Sequence, residues 1–261
     1  MNAQQWNARR GQGERLSRVV RISLLAALSA LAWGAQSVAP ESARARASIR
    51  AAVTPAQHAV EQMLARVLRA PEVRSRVTIT RSDPFGGPGE RSEGRIWFLP
   101  GRGLRYRSEE RGGEDIVVDR EKGSFLVYRP SEQVLYRADW ERAPARMRQL
   151  IMEPGRILDA DFRAARERRV VGGAWRQGYR LHRASLGDSL PTVSVWIAAD
   201  PANGLPRWLS AGGTEDSVDV EFRSMAILPK ADPRDLNLNL PRDVRTEPLD
   251  PRDLLPGGES R

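Results

Sequence analysis

Apolar and polar positions alternate along much of this chain with a period of two, in short runs. Val73, Ser75, Val77 and Ile79 alternate with Arg74, Arg76, Thr78 and Thr80, which predicts a strand with one buried face. Between Glu93 and Arg137, runs rich in Val, Ile, Tyr, Phe and Trp follow one another at Ile96–Leu99, Leu104–Arg107, Asp115–Val118, Ser124–Tyr128 and Gln133–Arg137. Turn-forming clusters separate them, among them Gly-Arg-Gly, Gly-Gly, Arg-Glu-Lys-Gly and Arg-Pro-Ser-Glu. Links this short force antiparallel pairing, because a parallel crossover needs a dozen or more residues. The stretch is therefore an antiparallel meander. Strands resume at Arg168–Val171, Trp175–His182, Thr192–Ala198, Leu205–Ser210 and Ser217–Phe222. Leu236, Leu238 and Leu240 alternate and predict a last strand, for a total of about ten to eleven.

One segment has the helical period instead. Val60, Met63, Leu64, Val67 and Leu68 fall on a single stripe. Thr54 suits the N-cap, Pro55 suits N1, Gln57 completes a capping box, and Pro71 ends the helix. Residues 143–165 interrupt the β pattern. Pro144 is placed to start a short helix bearing Met147, Leu150 and Ile151, and Leu158, Phe162 and Ala165 fit another. The fold class is mainly β, with helices laid on an antiparallel sheet.

The termini differ from this body. Arg9, Arg10, Arg15, Arg18 and Arg21 precede the uncharged run Ile22–Trp33, and small residues follow, with cleavage points after Ala32, Ala39, Ala45 or Ala47. This is the pattern of a cleavable secretory signal. The apolar run is shorter than the ~20 residues a membrane span needs. The expected organisation is a signal peptide and linker over 1–47, one domain over 48–248, and a disordered tail over 249–261. The chain has no cysteine, which excludes a lipid anchor on Cys, disulfides and thiolate ligands. Residues 48–261 keep 35 basic and 31 acidic side chains, interleaved as on a solvated surface, so nucleic acid is not an expected partner.

Candidate chemistry is sparse. His58 and His182 lie on different elements and in no metal motif; His58 is off the apolar stripe. Asp159 and Asp161 stand near a helix start, where capping accounts for them. No nucleophile elbow, zinc-protease motif or phosphate loop occurs. The expectation is a protein that is not an enzyme and uses no metal or cofactor.

The order of motifs resembles the periplasmic outer-membrane lipoprotein carriers of the LolA-like superfamily. After the first helix and strand come Gly94-Arg95-Ile96-Trp97-Phe98-Leu99-Pro100 and then Leu104-Arg105-Tyr106. Ile116-Val117-Val118-Asp119, Phe125-Leu126-Val127-Tyr128-Arg129-Pro130 and Gln133-Val134 follow. Gly204-Leu205-Pro206 and a close at Leu240-Pro241-Arg242-Asp243-Val244 complete the likeness, which spans about residues 54–247. Carriers usually have Arg directly before that first Pro, where it holds a helical lid; here the position is Leu99, so no latch is carried over. The later part, with Gly172-Gly173, Tyr179-Arg180-Leu181 and Trp196-Ile197, looks as much like lipoprotein-sorting homologues and the periplasmic anti-sigma regulator RseB.

The resemblance implies a curved, unclosed antiparallel β-barrel whose concave apolar face is incompletely covered by helices. It implies a monomeric periplasmic carrier that holds lipid or the acyl chains of lipoproteins. An inner-membrane donor and an outer-membrane acceptor would be its partners. A regulatory or sensing module of the RseB type is the alternative. Trp97, Leu99, Leu104, Tyr106, Val117, Leu126, Leu135 and Trp196 are the candidate cavity residues, and Arg105 is the candidate lid or polar contact.

Overall fold

Thr54 opens helix α1 (Pro55–Leu68) with an extended backbone, and its Oγ1 accepts the Gln57 N–H at 3.1 Å. The reciprocal half of the expected capping box is not made, because Gln57 Nε2 donates to Glu61 Oε1 at 2.9 Å. Val60, Met63 and Leu64 are buried, and Val67 and Leu68 are half-buried against the same core. Burying such side chains contributes about 2 kcal/mol each, far more than helix propensity.

The chain is described from a computed structural model over residues 54–81, 89–142, 148, 162–183, 194–212 and 217–249. The first meander comprises β1 (Glu72–Arg81), β2 (Glu90–Leu99), β3 (Gly103–Ser108), β4 (Asp115–Asp119), β5 (Ser124–Arg129) and β6 (Val134–Asp139). The second comprises β7 (Phe162–Val171), β8 (Ala174–Arg183), β9 (Ser194–Ala199), β10 (Pro206–Gly212) and β11 (Ser217–Phe222). β1 pairs with β11 and joins the two. The short β12 (Ala226–Leu228) continues along β1, and β13 (Arg245–Pro248) pairs in parallel with β6. The sheet order is β13-β6-β5-β4-β3-β2-β1-β11-β10-β9-β8-β7, with β12 beside β1. Its two edge strands, β13 and β7, do not pair, so the sheet is unclosed.

The sheet is also curved. From β3 to β9 is five steps in strand order, roughly 24 Å at the usual ~4.8 Å spacing. Yet Leu104 of β3 and Ile197 of β9 line the same small cavity beneath α1. Only a sheet that wraps around its helix brings them together. One core cluster accordingly runs from Val60 of α1 through Ile116, Phe125 and Val127 to Ala164 and Leu181.

Both faces are covered over part of the sheet. Every residue of β4 is buried, the mark of a strand with packing on each side. α1 covers the concave face. Residues 231–238 cross the outer face, including a 3-10 turn at Pro233–Leu236 that buries Leu236 on Leu99 and Val117.

The structure amends the sequence-based expectations in four places. Thirteen strands form the sheet, not ten to eleven. Phe162 and Ala165, expected on a helix, lie in strand β7. The alternating Leu236, Leu238 and Leu240 do not form the last strand; Leu236 and Leu238 pack as a strap on the outer face, and the closing strand is Arg245–Pro248. Leu249, assigned to a disordered tail, is buried in the main core and donates its N–H to the Arg137 carbonyl at 2.8 Å. Asp159, Asp161 and, apart from the helical Arg148, the helices expected between Pro144 and Leu158 lie outside the described residues. No helix among the described residues is long and apolar enough to cross a membrane.

Candidate functional site

Cross-strand register builds an apolar floor under α1. Val73 stands opposite Phe98, and Phe98 opposite Leu104. On the second meander Leu209 stands between Ile197 and Val220. Leu64, Val67 and Leu68 of α1 lie over this floor. Between them is a cavity of about 80 Å³, closed in further by Val73, Ser75, Ile96, Pro206, Phe222 and Met225. Ser75 is the one polar residue among the lining, and its Oγ donates to the Arg76 carbonyl at 2.9 Å. No charged side chain lines the space. Such a surface attracts carbon chains and offers nothing to an ion or a sugar. An apolar cavity of about 150 Å³ stays dry and holds one benzene. This one is about half that size.

The strand alternation sorts the sequence-predicted residues onto two faces. Leu104 lines the cavity. Tyr106 is fully buried on the same face, packed so closely that a Cβ on Gly94 would stand 2.5 Å from its ring. Burial pushes the Tyr106 hydroxyl up to about 12, weakly opposed by the nearby Ser92 and Ser108, and no hydrogen-bond partner is within reach of its oxygen among the described residues. The other six face outward. Leu99 and Val117 are buried with Leu236, and Leu126 packs against them. Trp97 lies half-buried beneath the Arg105 guanidinium, 5.2 Å from ring centre to Cζ. Leu135 shares the outer face with its cross-strand partner Tyr128. Trp196 packs with Val171, Ala198 and Trp208, its ring pressed on Gly178, and its Nε1 donates to the Glu167 carbonyl at 3.3 Å.

Arg105, the candidate lid contact, instead clamps the C-terminal strap. Its Nε and Nη2 donate to the Asp115 carboxylate at 2.9 and 2.5 Å, and Nη1 donates to the carbonyls of Asp235 and Asn237 at 3.2 and 2.7 Å. The fully buried Glu72 carboxylate accepts from the Arg74 Nε and, at 2.8 Å, from the Asp232 N–H. Lys122 Nζ adds a bond to Asn237 Oδ1 at 2.6 Å. Partial burial and then the neighbouring Glu72 raise the Asp235 carboxyl, against the pull of Arg74. His58 is exposed and contacts Gln62, and His182 lies in β8. Among the described residues no group of side chains is arranged to hold a metal ion.

Of the thirteen lining residues only Leu104 was a cavity candidate from sequence; the other twelve, Ile96 and Phe98 among them, were missed. A usable signal was present for two of them. The buried face of β1, with Val73, Ser75 and Val77, propagates by register to Ile96 and Phe98, then to Leu104 and Tyr106, then to Ile116 and Val118.

No protein-family model matches the chain, and no curated protein matches it by sequence. Solved structures do resemble it. An uncharacterized conserved protein from Thermus thermophilus is 12% identical with a TM-score of 0.46, over 75% of this chain and 100% of that one. A LolA superfamily protein from Nitrosomonas europaea is 10% identical with a TM-score of 0.35, over 66% and 93%. A chain of the Pseudomonas aeruginosa MucA/MucB complex is 12% identical with a TM-score of 0.43, over 71% and 62%. All three fall below a TM-score of 0.5, so they place no activity on this chain.

Proposed function

We propose that this chain is a carrier that binds an acyl chain of a lipid or lipoprotein between α1 and the concave face of the sheet. The observation that carries this reading is the charge-free cavity whose only polar lining residue, Ser75, has its hydroxyl bonded to the backbone. Each buried methylene contributes about 0.8 kcal/mol without any directional contact. Such binding is tight enough to hold a chain and needs no ion pair to be broken on release, which suits transfer from a donor to an acceptor. In the resting state the cavity takes only part of a chain. Entry of more requires α1 to lift at its C-terminal half, where Val67 and Leu68 are only half-buried. The Arg66 Nη1 bond to the Asn203 carbonyl, at 2.5 Å and exposed, is a tie that such a movement would break.

On this reading the protein works in the periplasm without catalysis, metal or cofactor. Titration with an environment-sensitive fatty-acid probe tests it. Saturable binding, displaced by lipid and lost when the cavity is filled, supports the carrier. Absence of probe binding, with stable capture of an inner-membrane protein instead, supports the regulatory alternative.

A further inference from the structure

We infer that the β7–β8 hairpin is a docking element for an anionic lipid bilayer. Gly172 and Gly173 turn it with φ of +60° and +77°, a two-residue turn that side chains with a Cβ enter at a cost. Paired residues run without interruption from Val171 opposite Ala174 back to Phe162 opposite Arg183, so the tip is held stiffly. It presents Val170 and Trp175, which are cross-strand partners, at 50% and 65% exposure. The fold gains little from a Trp left this open.

The charge around the tip is one-sided. From Arg168 to Gln177 the hairpin holds Arg168, Arg169 and Arg176 and no acid, while Arg207 on β10 is paired with Glu221 at 2.9 Å. Arg168 lies 5.7 Å from the Trp175 ring centre on one face of the sheet. On the other face Arg176 and Arg207 flank Trp208 at 4.4 and 5.4 Å. Arg and Trp together suit the headgroup layer, where the cation meets phosphate and the ring sits at the boundary with the acyl chains. A single nucleic-acid strand tracks one groove and cannot stack on both faces of a sheet. A bilayer receives the end of a hairpin from both sides at once. Charge complementarity therefore favours the anionic bilayer as occupant.

The antiparallel register places this tip at the end of the sheet where β1 begins, β2 turns into β3 and β9 turns into β10. Val73, Phe98, Leu104 and Pro206 line the cavity from that same end. Docking would bring the cavity end to the membrane, but the docking itself does not depend on the carrier reading.

The chain has no cysteine, so a single one reports from one place. Gln177→Cys, at an exposed position two residues beyond Trp175, and Ser131→Cys, at the opposite end of the sheet, each carry an environment-sensitive dye in the full chain. With vesicles of phosphatidylglycerol and phosphatidylcholine, the dye at 177 brightens and shifts to the blue while the dye at 131 does not change. With phosphatidylcholine alone, neither changes. Adding Val170→Ser and Trp175→Ser weakens binding about tenfold, as does raising salt to about 0.5 M. Both are surface positions, and circular dichroism checks that the fold is kept. Val67→Phe, which fills the cavity, leaves docking unchanged and so separates this inference from the carrier reading. Equal response at both dyes, no response at 177, undiminished binding by the double variant, or preference for single-stranded nucleic acid over vesicles overturns it.

Discussion

Val67→Phe offers a way to block the cavity without dismantling the fold. Val67 lies on α1, half-buried, with its side chain on the cavity. An unfilled cavity of about 80 Å³ costs about 2 kcal/mol at ~24 cal/mol per Å³. A phenyl ring placed there recovers part of this, and overpacking costs about 1–3 kcal/mol in return. The two nearly cancel, and Phe and Val have similar helix propensity. The melting temperature should therefore move by only about 2–4 °C. Binding should change far more. The resting cavity has room for roughly three methylene groups, about 2.5 kcal/mol. That is weaker than the ~4 kcal/mol of a millimolar complex. Affinity tighter than millimolar thus requires α1 to move, and a ring wedged under α1 removes both the space and the seat of the chain. Fluorescence titration with a fatty-acid probe should show at least about tenfold weaker binding in the variant. A variant that keeps its fold and binds the probe as tightly as the parent would place the ligand elsewhere and overturn this prediction.

Further outcomes follow from the two faces. Leu99→Arg, harmless if position 99 faced a cavity mouth, should cost about 3–5 kcal/mol in denaturant unfolding, because it puts an unpaired charge under Leu236. Tyr106, with its hydroxyl raised to about 12, keeps its full contribution below an ordinary tyrosine value of about 10. As the pH climbs from there towards 12 the unfolded chain ionises first, and stability falls by about 1.4 kcal/mol per pH unit; Tyr106→Phe should remove that share of the alkaline loss. Asp235, also raised, works in the same direction in the acid range: stability declines as the pH rises above the ordinary carboxylate value, and Asp235→Asn should flatten that slope in pH-dependent melting. A chain ending at Pro248 should melt several degrees lower than one ending at Asp250, since it loses buried Leu249 and its bond to the Arg137 carbonyl.

The first meander was legible because its turns are short and its runs rich in β-branched and aromatic residues. The five expected runs, from Ile96–Leu99 to Gln133–Arg137, fall on β2 to β6, with ends that agree within about two residues except at the start of β2. The site was not legible in the same way. Ile116-Val117-Val118 is apolar throughout because both faces of β4 are covered, so alternation cannot say which side chain points to the concave face. The cover on the outer face comes from residues 231–238, far along the chain, held by Arg105, Glu72 and Lys122. Its Leu236 and Leu238 mimic the period of a strand while packing as a strap. The basic tip escaped notice because only the pairing of β7 with β8 sets Arg169 opposite Arg176 and Val170 opposite Trp175.

Native mass spectrometry of the protein purified from cells without detergent, beside Val67→Phe prepared in the same way, bears on the carrier reading with the fewest intervening steps. Lipid-mass adducts are expected on the parent protein, released by organic solvent, and absent from the folded variant. Bare protein in both samples, together with no saturable binding of a fatty-acid probe, would rule the carrier out.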